Sequence, residues 1–263
     1  MWGDVTATRM LAPGTLMPAG SGIRSPFTQA GQIHAVLFDL DGTLYQQRAL
    51  RALMAVELTT AVFGGLKQAS RTWRGVAAYR QAQELLRPER AHETGWQGEQ
   101  LDLAARNSGL PRQDLERIVA EWMFERPLKY LRVCRAPGLL ELMTFLEGRG
   151  LKMGVLSDYP AAAKLVALGV ADRFSLVLCS TDREIGAFKP SPRGFLKAAE
   201  FWHLDPRDVL MVGDRHESDA AGAAAAGMPC AIIGRTPTTR SATAHCLVFS
   251  SLKRLHRALD NSR

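Results

Sequence analysis

The most constraining feature of this chain is a series of short apolar runs, each ending in a small or polar residue. Residues 33–39 (Ile-His-Ala-Val-Leu-Phe-Asp) lead into Leu40-Asp41-Gly42. Residues 151–156 lead into Ser157-Asp158, 174–179 into Ser180, 209–212 into Gly213-Asp214, and 230–233 into Gly234. Runs this short, bounded by turn residues, read as buried strands. Helical patterns cover 139–147, 161–168, 194–202 and 220–226. Pro137, Pro160 and Pro192 stand near three of their starts, and Gly148, Gly169 and Gly227 at or past three of their ends. Proline's fixed φ suits a first helical turn, and glycine tolerates the left-handed exit.

Strand alternating with helix predicts an α/β fold with a parallel sheet and helices on both faces. Ligands of such sheets bind beyond the carboxyl ends of the strands. Asp39, Ser157 and Asp214 all fall there, delivered by three separate strand ends.

One long stretch breaks the alternation. Residues 46–132 have helical periodicity, many Arg, Gln and Glu, the tryptophans Trp73, Trp96 and Trp122, and no clear strand. They read as a helical insert over the strand ends. The first thirty residues are rich in Gly, Pro, Ser and Thr and lack a sustained apolar core, so they do not read as a secretory signal. The expected organisation has three parts: a weakly ordered extension over 1–30, a core over 31–46 and 133–263, and a helical domain over 47–132.

Composition narrows the classes. The formal charge is +7, from 33 Lys+Arg against 26 Asp+Glu. Basic residues are scattered, with modest clusters at 71–74 and 253–257 and no nucleic-acid motif. A small anionic substrate is therefore preferred over nucleic acid as the partner of this charge. No uncharged stretch reaches the roughly 20 residues of a membrane span. The longest, 220–234, contains Gly227 and Pro229. Cys134, Cys179, Cys230 and Cys246 form no CxxC pair. Neither a zinc site nor a disulfide framework is suggested, and a cytoplasmic setting is expected. Cys179 and Cys230 read as buried, inert thiols.

Chemistry concentrates at the strand ends. A carboxylate such as Asp39 can attack phosphorus to give an acyl phosphate. Asp41 can face the same site, protonate a leaving oxygen and later deprotonate water. Gly42 permits the sharp turn and Thr43 can pin it. An Asp-rich turn is also a common structural device, so this motif alone leaves both readings open. Asp214 and Asp219 could supply the hard oxygens that Mg2+ prefers, or could simply be turn and early-helix residues. Ser157-Asp158, with backbone N–H groups at a helix start, and Lys189 can grip phosphate oxygens, yet a lone Ser or Lys is more often a cap or a surface residue. In the insert, Arg71, Arg74, Arg80, Trp73 and Tyr79 are candidate substrate contacts, with core filling and solvation preferred for any one of them. His203, His216 and His245 read as structural or surface histidines.

Together these residues resemble the haloacid dehalogenase superfamily of phosphohydrolases. Asp39-Leu-Asp-Gly-Thr-Leu matches its first motif, and Ser157 in Val-Leu-Ser-Asp-Tyr-Pro its second. Lys189 in Phe-Lys-Pro-Ser-Pro matches the third, and Gly213-Asp-Arg-His-Glu-Ser-Asp219 the fourth, in the right order. The resemblance covers roughly residues 31–250 and implies a Rossmann-like three-layer core with an inserted helical C1 cap. It implies Mg2+ held by Asp39, the backbone carbonyl of Asp41 and Asp214, with Asp219 assisting. It implies Ser157 and Lys189 on the transferring phosphoryl group, Asp39 as nucleophile and Asp41 as acid and base. Asp41 favours phosphoryl transfer over dehalogenation, which has no leaving alcohol to protonate. The expectation is a Mg2+-dependent phosphatase of a small phosphorylated metabolite, such as a sugar phosphate or a phosphoglycolate-like acid. A phosphomutase on the same scaffold and a non-catalytic protein of this fold are the alternatives. Oligomeric state is not legible.

Overall fold

A computed structural model describes residues 23–24, 32–61, 65–87, 97–234 and 246–261. Strands β1 (Ile23–Arg24) and β2 (Gln32–Ile33) form a small antiparallel pair. The rest of the 1–30 extension, Trp96 and His245 lie outside the described residues.

Strand β3 (Ala35–Phe38) begins the main sheet. The helices α1 (Gln47–Ala61), α2 (Leu66–Leu86), α3 (Gln97–Ser108), α4 (Arg112–Val119) and α5 (Leu128–Leu131) follow, with a π-helical stretch at Ala120–Glu125. Then come α6 (Leu139–Gly148), β4 (Lys152–Ser157), α7 (Ala162–Leu168), β5 (Leu176–Cys179) and α8 (Arg193–Trp202). The chain continues through β6 (Val209–Gly213), a π-helical turn at His216–Ala220, α9 (Ala221–Ala226) and β7 (Cys230–Ile233). It closes with β8 (Cys246–Phe249) and α10 (Leu252–Asp260).

The six strands β3–β8 lie in the order β5-β4-β3-β6-β7-β8, and every neighbouring pair is parallel. Both faces are covered, so the central strands are apolar throughout rather than alternating. Along β3, Val36 and Phe38 join one core with Leu139, Leu142 and Leu146 of α6, Leu165 of α7 and Leu255 of α10. Ala35 and Leu37 point the other way, into a core with Phe195 and Trp202 of α8 and Ala223 of α9. Each fully buried Leu or Phe contributes roughly 1.5–3 kcal/mol. The result is the three-layer Rossmann-like α/β arrangement.

Helix α10 was not anticipated from the sequence, which shows there only a basic cluster. Its Leu252, Leu255 and Leu259 bury against the sheet while Lys253, Arg254 and Arg257 lie off that stripe, and Ser251 caps its start through the Arg254 N–H. Strand β8 was also missed. It is a four-residue edge strand reached without an intervening described helix, so the alternation gives no hint of it.

The chain runs from β3 outward to β5, then returns to β6 and runs outward the other way. A crevice therefore opens at the carboxyl ends beside β3, where the strand order switches. Phe38 registers with both Val155 and Val212, which sets Asp39 level with Gly213 and next to Asp214. Helices α2, α3 and α4 share a small core of their own, including Tyr79, Ala82, Ala104, Leu115 and Ile118. They meet the strand ends through Tyr79, stacked on Tyr159 at 6.4 Å between ring centres.

Candidate active site

A cavity of about 530 Å³ lies between the strand ends and the helical insert. That is within the usual range for small-molecule sites. Asp39, Asp41, Asp158, Lys189 and Asp214 all line it. Ser157, at 1% exposure, and Asp219, at 0%, are buried behind that surface.

Asp39 is held from two sides. Lys189 Nζ lies 2.5 Å from its Oδ1, and the Thr43 hydroxyl donates to its Oδ2 at 3.1 Å. Lys189 Nζ also reaches Asp219 Oδ1 at 2.7 Å. The other Asp219 oxygen accepts the backbone N–H groups of Asp214 and Arg215, at 3.1 and 3.0 Å. Both oxygens of Asp219 are thus taken by donors, which fixes the turn after β6. Gly42 is required where it stands. Its φ is +112°, and an added Cβ would lie 2.1 Å from Asp214 Oδ2.

Asp39, Asp214 and Asp219 each place one carboxylate oxygen within 4.8 Å of the others. Burial pushes the Asp39 carboxyl well up, with Asp219 and Asp214 adding to the rise and Lys189 opposing it. Burial also pushes Asp214 up to about 6, again helped by Asp219. Asp214 Oδ1 is buried without a hydrogen-bond partner. Three carboxylates against one ammonium, with one oxygen unsatisfied, suit a hard divalent cation. Despite its burial, Lys189 is held firmly protonated by Asp219, Asp39 and Asp158.

The Asp41 side chain stands outside that cluster. Lys164 Nζ contacts both its oxygens, at 2.6 and 3.0 Å, and the Tyr45 hydroxyl donates to Oδ1. Neither partner was singled out from the sequence. Lys164 is a lone lysine in an Ala-rich helix, and its burial is set by tertiary packing.

The Asp158 carboxylate is committed to other residues of the chain. Its Oδ1 accepts the Ser180 hydroxyl at 2.7 Å and the Lys189 N–H at 3.2 Å, and its Oδ2 accepts Arg87 Nη1 at 2.8 Å. Burial works against the charge, but Lys189, Arg87 and Ser180 hold the carboxyl below its ordinary range. The side chain thereby braces the Lys189 segment. Ser157 Oγ accepts the Tyr159 N–H at 3.2 Å, as a cap would.

Of the candidates in the insert, Arg80 lines the cavity, whereas Arg71, Trp73, Arg74 and Tyr79 do not. Arg71 pairs with Asp114, Trp73 is 68% exposed, and Tyr79 is core. Arg51, Arg87 and Trp122 also line the cavity and were not anticipated there. His216 has both ring nitrogens buried without a partner, and His203 ends α8 in the left-handed conformation.

A family model for haloacid dehalogenase-like hydrolases matches residues 33–227, which take in all four motifs. The chain belongs to this hydrolase family. It is 29% identical over 209 residues to glyceraldehyde 3-phosphate phosphatase of Methanopyrus kandleri, spanning 74% of this chain and 82% of that one. It is 30% identical over 214 residues to phosphoglycolate phosphatase of Escherichia coli K12, spanning 75% and 79%. Among solved structures, a HAD phosphatase from Thermococcus onnurineus superposes with a TM-score of 0.60 at 24% identity, covering 86% of this chain and 98% of that one. L-2-haloacid dehalogenase from Xanthobacter autotrophicus superposes at 0.63 with 19% identity, covering 87% and 99%. These two likenesses establish the fold.

Proposed function

We propose that this chain is a Mg2+-dependent phosphatase acting on small phosphorylated metabolites through an aspartyl-phosphate on Asp39. One observation carries the reading. Asp39 stands at a strand end in a cavity, with Lys189 on one oxygen and Asp214 and Asp219 within 4.8 Å. The names of the relatives, which include phosphatases of glyceraldehyde 3-phosphate, phosphoglycolate and phosphoserine, support this chemistry. The helices over 47–131 sit over the cavity and are proposed to act as the cap that selects the substrate.

Asp39, Asp214 and the carbonyl of Asp41 would hold the divalent cation, with Asp219 behind them fixing the turn. Bound there, the cation supplies charge that draws phosphate toward three carboxylates. Asp39 attacks phosphorus in line, forming a carboxyl O–P bond as the ester P–O bond breaks. A protonated Asp41, released from its contact with Lys164, gives its proton to the departing oxygen. Lys189 offsets charge on the phosphoryl oxygens, and Asp158 and Arg87 keep Lys189 in place. Asp41 then takes a proton from water, which attacks the acyl phosphate and regenerates Asp39.

Phosphate release should be measured on a panel of phosphoglycolate, glyceraldehyde 3-phosphate and phosphoserine, with Mg2+ or with EDTA. Wild type should release phosphate only with the cation. Asp39→Asn should lose about 10³-fold or more, as expected when a nucleophile is removed. Full cation-dependent activity in that variant ends the proposal.

A further inference from the structure

We propose that the substrate carries a second anionic group on its leaving alcohol, a carboxylate or a further phosphate, held by Arg51 and Arg80; the inference rests on the phosphatase reading. Six cationic side chains line the cavity, and four of them are committed. Lys189 pairs with Asp39 and Asp219, and Lys164 with Asp41. Arg87 pairs with Asp158 and Glu84, and Arg215 with Glu84. The other two are Arg51 on α1 and Arg80 on α2, both exposed. Among the described residues, neither pairs with a carboxylate.

Their place in the fold says which part of a substrate they meet. Asp39 belongs to the strand ends, whereas Arg51 and Arg80 belong to the insert. With the phosphoryl group at Asp39, the rest of a small substrate faces the insert. Each guanidinium is felt at a tyrosine beside the Asp41–Lys164 pair. Burial and then Asp41 push the Tyr45 hydroxyl up, and Arg51 opposes them. Burial, Tyr79 and Asp41 push the Tyr159 hydroxyl up, and Arg80 opposes them. Tyr45 bonds Asp41, and the Tyr159 ring centre lies 5.6 Å from Lys164 Nζ. Gln83, one turn after Arg80, lines the same cavity, and its amide nitrogen is buried without a partner. This wall is therefore rich in donors and short of acceptors. The planar fork of an Arg matches the paired oxygens of a carboxylate or phosphate, which a neutral alcohol lacks.

Hydrolysis with Mg2+ should be compared for phosphoglycolate, ethylene glycol bisphosphate and 2-hydroxyethyl phosphate. The three share a reacting group and a two-carbon chain and differ at the far end. Wild type should favour an anionic ester over the neutral one about tenfold or more in kcat/KM, as one charged hydrogen bond allows. The anionic ester it prefers identifies the second group as carboxylate or phosphate. R51M and R80M should each cut that preference about threefold or more, mainly through KM. R80K should keep part of it, because the charge remains. Either Met variant carries the test if the other does not fold. Equal losses on all three esters, an unchanged preference in both Met variants, or a wild type that favours the neutral ester or glyceraldehyde 3-phosphate overturns the second-anion site and leaves the phosphatase reading standing. No Mg2+-dependent release from these esters, phosphoserine or glyceraldehyde 3-phosphate overturns both together.

Discussion

Asp39 and Asp41 are the same residue type, two positions apart, and the fold treats them differently. Asp39 sits in a group of three carboxylates with Asp214 and Asp219, beside one ammonium, that of Lys189, which pairs with Asp39 and Asp219. Asp41 is matched one to one with Lys164 and lines the same cavity, half-buried. The first environment has a deficit of positive charge and the second does not. On the proposed reading a divalent cation belongs with the carboxylates of Asp39 and its neighbours, and the Asp41 side chain stands apart from it. The same residue type is thus given two environments by the strand ends.

The largest test of that contrast is to remove each lysine in turn. K189M leaves Asp39 and Asp219 buried without their shared partner, which should cost about 3–5 kcal/mol in the metal-free protein. K164M should cost clearly less, because Asp41 keeps Tyr45 and has more contact with water. Urea denaturation of both variants decides the matter. Equal losses would mean that the two sites are balanced alike.

Gly42 is the next lever, because it alone lets Asp214 approach the Asp39 turn. Gly42→Ala introduces a methyl where Asp214 Oδ2 now lies 2.1 Å away, on a backbone with φ +112°. Asp214 must move by about an ångström, a displacement that costs on the order of 10²-fold in rate. Phosphate release by the purified variant measures it, and wild-type activity would show that Asp214 is not held against this turn.

The charge deficit also sets a pH dependence. The Asp214 carboxyl is raised from 3.8 to about 6, chiefly by burial and then by Asp219. Between those values the folded chain holds more protons than the unfolded one. This group's contribution to stability is therefore full below about pH 4 and lost as pH rises through 6. The proposed Mg2+ would bind the ionised form, so it should raise the thermal midpoint more at pH 7.5 than at pH 5. At a hundred times its dissociation constant the gain is about 2.7 kcal/mol. Thermal melts with Mg2+ or EDTA at the two pH values provide the check, and an equal rise at both would contradict the assignment.

The sequence reveals one half of this arrangement better than the other. Strand ends and turns are local patterns, so Asp39, Ser157 and Asp214 fall at one sheet edge from sequence alone, and the motifs add Asp41 and Lys189 to them. The partners that divide their labour are tertiary. Lys164 reaches Asp41 across 123 residues and Arg87 reaches Asp158 across 71, and nothing in a lone Lys or Arg announces a destination. The Asp158 side chain shows the same limit: Ser180, Arg87 and the Lys189 N–H occupy its oxygens, partners that its place beside Ser157 does not announce. Cys230 and Cys246, sixteen positions apart in sequence, register against each other on β7 and β8, a proximity that spacing alone does not suggest.

Arg87 gives the smallest effect and the sharpest separation of the two sides. At the end of α2, it donates to Asp158 Oδ2 at 2.8 Å and to the Lys189 carbonyl at 2.5 Å, and so ties the insert to the lysine that serves Asp39. Arg87→Met leaves Asp158 with its Ser180 and Lys189 N–H bonds, so the cost should be about 1–3 kcal/mol rather than that of a bare buried charge. Its hydrogen bonds and ion pairs run to Glu84, Asp158 and the Lys189 carbonyl and to none of Asp41, Lys164 and Tyr45, so it is expected to act through Lys189. Any fall in phosphoenzyme formation should then be the same for alkyl and aryl phosphates. If R87M instead changes the ratio between the two esters, the attacking and proton-transferring sides are coupled through the insert, and the division between Asp39 and Asp41 is not the independent one described above.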